Sequence, residues 1–149
     1  MNILICITFH YSQDRLKYLE KVLKGFIDFT DLVTVYIITN TEKNDELDRI
    51  NKIFPPITNK FKIIIKSFKV KKHPHNLIQC HKIFCIDDFM NSHKFTHFLH
   101  TEDDLLFKKK NFNYWLEYRE LLSKHNIIPS FFRVERLHEN DFFKTTDIG

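Results

Sequence analysis

Ile3-Leu4-Ile5-Cys6-Ile7-Thr8-Phe9 is a continuous apolar run of strand length, the pattern of a strand buried on both faces. Outward from it, Leu16, Leu19, Leu23, Phe26 and Ile27 recur at helical spacing with Lys and Glu between them, which predicts an amphipathic helix over Gln13 to Phe29. Leu32-Val33-Thr34-Val35-Tyr36-Ile37-Ile38-Thr39 is rich in β-branched residues and reads as a second buried strand. A short helix carrying Leu47, Ile50 and Phe54 follows, and Pro55-Pro56 stops it. Phe61-Lys62-Ile63-Ile64-Ile65-Lys66 makes a third strand. His73-Pro74 then opens a helix, since proline suits a first helical position, and this helix is expected to bury a stripe of Leu77, Cys80, Ile83, Phe84 and Met90. Phe95 to Leu99 is a fourth strand, Phe112 to His125 a broad aromatic helix, and Phe131-Phe132-Arg133-Val134 a final strand. Strands alternating with helices predict an α/β fold with a mostly parallel sheet and right-handed crossovers. No internal repeat or boundary interrupts the pattern, so residues 1–149 are expected to form a single domain.

Composition narrows the function classes. Hydrophobic residues make up 43% of the chain and aromatics 15%, which excludes a disordered tail. Two Gly and four Pro leave no linker-like or collagenous stretch. The net charge of +4 favours anionic partners, although a solvated Lys-rich surface accounts for an excess of this size. Cys6, Cys80 and Cys85 lack zinc-knuckle spacing and read as reduced thiols of a cytoplasmic protein. The apolar start has neither a basic leader nor a small-residue cleavage site, and no stretch reaches the length of a membrane span. A soluble protein is expected, with peripheral membrane contact left open.

Parallel sheets bind ligands beyond the carboxyl ends of their strands. Three polar clusters fall at those ends: Thr8, His10, Tyr11 and Ser12 after the first strand, Thr39, Asn40, Thr41 and Glu42 after the second, and His100 to Asp104 after the fourth. In the last of these, Glu102-Asp103-Asp104 sits between an apolar strand and Leu105-Leu106-Phe107. Three adjacent carboxylates repel one another, and burying one unpaired is costly. A divalent cation relieves the repulsion; hard oxygen ligands suit Mg²⁺ or Mn²⁺, which share their remaining positions with water and substrate phosphates. Cleavage at a diphosphate fits such a site. The alternative is an exposed acidic turn after an edge strand, against which the apolar frame argues.

Phe95-Thr96-His97-Phe98-Leu99-His100-Thr101-Glu102-Asp103-Asp104 resembles the strand and DXD segment of GT-A-fold glycosyltransferases. The likeness extends to Ile3 to Tyr11, Gln13 to Phe29, His73 to Lys82, and Asn111 to Arg119 through Phe131 to Glu135. It implies a Rossmann-like, GT-A-like domain that moves a sugar from a nucleoside-diphosphate donor to a glycan, lipid or protein acceptor. It further implies Asp104 as metal ligand with Asp103 beside it, and Glu102 and Asp103 toward the nucleoside and sugar. Thr8, His10, Tyr11, Asn40, His81 and Lys82 are the remaining donor-binding candidates. Such enzymes usually continue well past this motif, so the acceptor region here is expected to be short or absent. Glu135, Asp141 and Asp147 are candidates for a general base, and His138 for a late metal ligand.

The residues leave rivals open. A nucleotidyltransferase normally shows a Gly-rich basic loop after its first strand, and His10-Tyr11-Ser12-Gln13 is neither. An inactive nucleotide-sugar-binding remnant is the non-enzymatic alternative. Lys62 to Lys72 with interleaved Phe suggests nucleic acid, but the acidic rim opposes it and no nucleic-acid partner is expected. Lys108-Lys109-Lys110 before a helix start hints at an anion, with plain solvation as the alternative.

Overall fold

The computed structural model describes residues 1–29, 31–70 and 74–131, together with the backbone of residues 134–135 and 144–145. These fall into two compact units, Met1–Lys109 and Lys110–Gly149. The first holds a four-stranded sheet of β1 (Asn2–Phe9), β2 (Leu32–Thr39), β3 (Phe61–Ser67) and β4 (His97–Glu102) in the order β3-β2-β1-β4. Every pairing in it is parallel. The fold is therefore α/β and Rossmann-like, as the alternation of elements predicts.

Burial explains why the two apolar runs became central strands. In β1, Ile3, Leu4, Ile5, Cys6, Ile7 and Phe9 are all at most 1% exposed, so both faces of the strand are covered. One face, formed by Leu4, Cys6, Tyr36 and Ile38, packs against Leu77 and Phe84. By the right-handed crossover rule, α1 (Leu16–Gly25) and α2 (Asn44–Lys52) cover the other. In α1, Leu16, Leu19, Val22 and Leu23 are buried. In α2, Asp45 and Glu46 occupy the first turn and Arg49 and Lys52 the last, each opposing the local helix-dipole charge.

Several expected boundaries shift. The first helix begins as a 3-10 turn over Gln13–Arg15 and ends at Gly25, where Phe26 N–H and Ile27 N–H bond back three residues instead of four. The segment expected as one helix from His73 is a 3-10 helix at Pro74–Cys80, a single α-turn, α3 (His81–Phe84), and a π-helix at Cys85–Asn91; His73 itself lies outside the described residues. Each change of helix type changes the rotation per residue, so a stripe spaced for 3.6 residues per turn does not stay on one face. Leu77 and Phe84 are buried accordingly, whereas Ile83 and Met90 are 47% and 58% exposed.

β4 starts two residues later than expected and runs through His100, Thr101 and Glu102. Its backbone ladder to β1, from Ile3↔His97 to Thr8↔Glu102, is indifferent to side-chain polarity. In the second unit, α4 (Lys109–Ser123) begins earlier than expected and takes Lys109 and Lys110 into its first turn. Phe131 is not in a strand, Phe132 and Arg133 lie outside the described residues, and β5 (Val134–Glu135) pairs antiparallel with β6 (Lys144–Thr145).

Candidate functional site

The chain lays down β1, β2 and β3 in one direction and then crosses back to place β4 on the other side of β1. At such a reversal the connections leave on opposite faces, and a crevice opens at the carboxyl ends of the two strands. Here β4 ends at Glu102, whose register partner in β1 is Thr8, one residue before that strand ends at Phe9.

Local turn chemistry sets the acidic triplet. Glu102 ends β4, and Asp103 and Asp104 fill the middle of a turn closed by Leu105 N–H to Glu102 C=O at 3.3 Å. Aspartate is a favoured turn residue. Asp103 is only 3% exposed, while the Asp104 side chain is 32% exposed. Behind the turn, buried Phe107 anchors the chain.

Asp103 is held by Arg15, at the end of the 3-10 turn that follows β1. Nε donates to Oδ2 at 2.8 Å and Nη2 to Oδ1 at 2.7 Å. Nη2 also donates to Asp104 Oδ2 at 3.2 Å. The fork geometry of guanidinium on carboxylate makes this a charge-assisted bidentate pair. The hydrogen bonds to Asp103 raise the Arg15 pKa further above its ordinary value. Burial pushes the Asp103 carboxyl up, and Arg15 opposes that push. A cation at the amino end of a helix is normally unfavourable; the two carboxylates compensate it here. Asp103, expected as a metal ligand beside Asp104, thus has both oxygens occupied by Arg15.

On the same crevice wall, Thr8 Oγ1 and His100 Nε2 are 3.0 Å apart. The His81 ring stacks on His100, with centroids 3.7 Å apart and planes 13° from parallel. His81 Nδ1 donates to the Ile78 carbonyl. Burial, with His81 second, lowers the His100 pKa to about 4, so this imidazole is neutral at physiological pH. Across the rim, Asn40 Oδ1 accepts the Tyr11 backbone N–H at 2.7 Å, and Asn40 Nδ2 lies 3.3 Å from His10 Nε2. The end of β2 thereby fixes the loop after β1. Tyr11 packs edge-on against Phe9, with centroids 6.0 Å apart.

Thr8, His81, Glu102, Asp103 and Asp104 therefore gather around the β1/β4 crevice, with His10, Tyr11 and Asn40 forming the adjoining rim. Lys82 is exposed on α3 and joins none of these contacts. Glu42 is exposed and pairs with Lys69 at 3.1 Å. Only the backbone of Glu135 is described, and His138, Asp141 and Asp147 lie outside the described residues. Sequence reasoning missed Arg15 and the role of His100. Arg15 carried no distinctive sequence signal, since Asp14 beside it makes an ordinary surface pair of charges at a helix start.

Among the described residues, no group of three or more His, Cys, Asp or Glu side chains is placed to hold a metal ion. Glu102 and Asp104, whose Oδ2 also accepts from Arg15, carry hard carboxylate oxygens, the donor type that Mg²⁺ or Mn²⁺ takes alongside substrate phosphates and water. No helix among the described residues is long and apolar enough to cross a membrane. No protein-family model matches the chain, and a search of curated proteins finds no relative.

Proposed function

We propose that the crevice between β1 and β4 binds a nucleoside-diphosphate sugar and that the protein is a GT-A-like glycosyltransferase. One observation carries this reading: the strand-order reversal falls at Thr8 and Glu102, so the acidic turn stands where parallel sheets receive phosphorylated ligands. Asp104 and Glu102 would hold the divalent cation, which when bound neutralises charge on the departing diphosphate. Arg15 holds Asp103 oriented in its buried position through the two-pronged contact. Thr8, His81 and the Asn40–Tyr11 rim line the path for nucleoside and sugar. The acceptor is a glycan, lipid or protein, and the reading places the enzyme in the cytoplasm, where its free cysteines stay reduced.

Titration calorimetry with UDP- and GDP-sugars, with and without Mn²⁺, tests the proposal. Metal-dependent binding that Asp104→Ala weakens at least tenfold supports it; binding indifferent to Mn²⁺, or none, overturns it. A second reading draws on Arg15, which already neutralises much of the acidic turn: a donor-binding remnant without transfer. Metal-independent donor binding without sugar release would favour that remnant.

A further inference from the structure

We infer that the opposite, amino-terminal edge of the sheet carries a separate binding site for a small phosphate-bearing anion. A cavity of about 310 Å³ there is lined by Asn2, Thr34, Lys60, Lys62, Lys94 and Phe95, among other residues. That volume is at the lower end of the range for small-molecule sites. β1 is eight residues long, so this edge lies about 25 Å from the crevice. The site is independent of the proposed transferase reaction.

Charge singles this cavity out. Three solvent-exposed lysines line it, no carboxylate does, and none of the three enters an ion pair among the described residues. The neighbouring Asp31 is taken by the Met1 ammonium at 3.0 Å. Like charges gathered around one basin are unfavourable, and a multivalent anion reverses the sign of that energy. Lysine ammoniums act on phosphate as point charges with several donors each.

The lysine backbones are fixed in place before any ligand arrives. Asn2 Nδ2 donates to Lys94 C=O at 2.5 Å, and Thr96 N–H donates to Asn2 C=O at 2.7 Å, tying the loop before β4 to β1. Lys60 C=O accepts Val33 N–H at 2.7 Å, and Lys62 is the register partner of Thr34. Phe95 adds an aromatic wall suited to a compact organic body beside the phosphate.

The test is a ¹H–¹⁵N NMR titration with inorganic pyrophosphate at constant ionic strength, in EDTA to silence any metal-dependent site. Saturable shifts are expected at the amides of Asn2, Thr34, Lys62 and Phe95. Lys62→Glu/Lys94→Glu should weaken binding about tenfold or more, the loss of one charge-assisted hydrogen bond or its equivalent. Lys62→Gln/Lys94→Gln should weaken it in the same direction without adding repulsion, and the control Lys52→Glu on α2 should not. Shifts confined to Thr8, His10 and Glu102, binding by the double variants within twofold of wild type, or no binding would each overturn the site.

Discussion

His81 and His100 lie ring on ring, 3.7 Å between centroids, although one belongs to a short helix and the other to a parallel strand. His100 is half-buried as well as stacked, and burial, ahead of the neighbouring His81, is what disfavours its protonation. That arrangement holds the Thr8 hydroxyl against a neutral acceptor–donor ring at the mouth of the crevice.

A pH dependence follows. The folded pKa of His100 is about 4, below the ordinary 6.5, so the unfolded chain takes up the proton first as pH falls. Stability from this group is complete above 6.5 and declines as pH drops toward about 4. Discounted for the ring's partial exposure, the loss should be about 2 kcal/mol. Urea unfolding at neutral and acid pH, compared with His100→Gln, measures it; equal pH slopes in the two proteins would refute the assignment.

Removing Arg15 should expose the cost of Asp103. With its partner gone, a carboxylate 3% exposed is left unpaired, and because Arg15 itself is partly exposed the expected loss is about 2 kcal/mol. Arg15→Lys should recover little, since an ammonium cannot reproduce the two-pronged contact. Asp103→Asn in the Arg15→Ala background should restore much of the stability. A double-mutant cycle showing no coupling would contradict the pairing.

Gly25 is a packing requirement of the segment behind the acidic turn. A Cβ there would stand 3.0 Å from Leu106 Cδ1 and 3.2 Å from the Phe107 carbonyl oxygen. Leu106 is 39% exposed and can swing aside, but Phe107 is buried and its carbonyl is backbone. Gly25→Ala should lose the helix-propensity gain of about 1 kcal/mol to this clash and come out destabilised by about 1 kcal/mol. A rise in melting temperature would show that the segment yields freely.

The irregular helical stretch gives a paired prediction. Phe84 is buried edge-on against Tyr36 at 5.0 Å and Phe68 at 5.9 Å, so Phe84→Ala should cost about 3 kcal/mol. Its neighbour Ile83 is 47% exposed, and Ile83→Ala should cost about 0.5 kcal/mol or less. Denaturant midpoints for the two variants decide whether the face turned inward is the one described.

Much of this protein was legible along the chain. Ile3 to Phe9 and Leu32 to Thr39 read as strands covered on both sides, because runs so largely apolar and β-branched have no continuous polar face to offer water. Leu32, the first residue of β2, is the exposed exception. The alternation of such runs with amphipathic helices made the sheet parallel, and the acidic triplet was identifiable at the end of the fourth strand from its apolar frame. Those readings depend on local periodicity, which a sequence carries in full. The strand order β3-β2-β1-β4, the Arg15–Asp103 grip across the crevice and the His81–His100 stack were decided by the tertiary structure alone. Each joins residues far apart in sequence, and no periodic pattern records which side of β1 the fourth strand will take. The helix types over Pro74–Asn91 were likewise settled by packing, which kept Leu77 and Phe84 inside at the expense of the regular stripe.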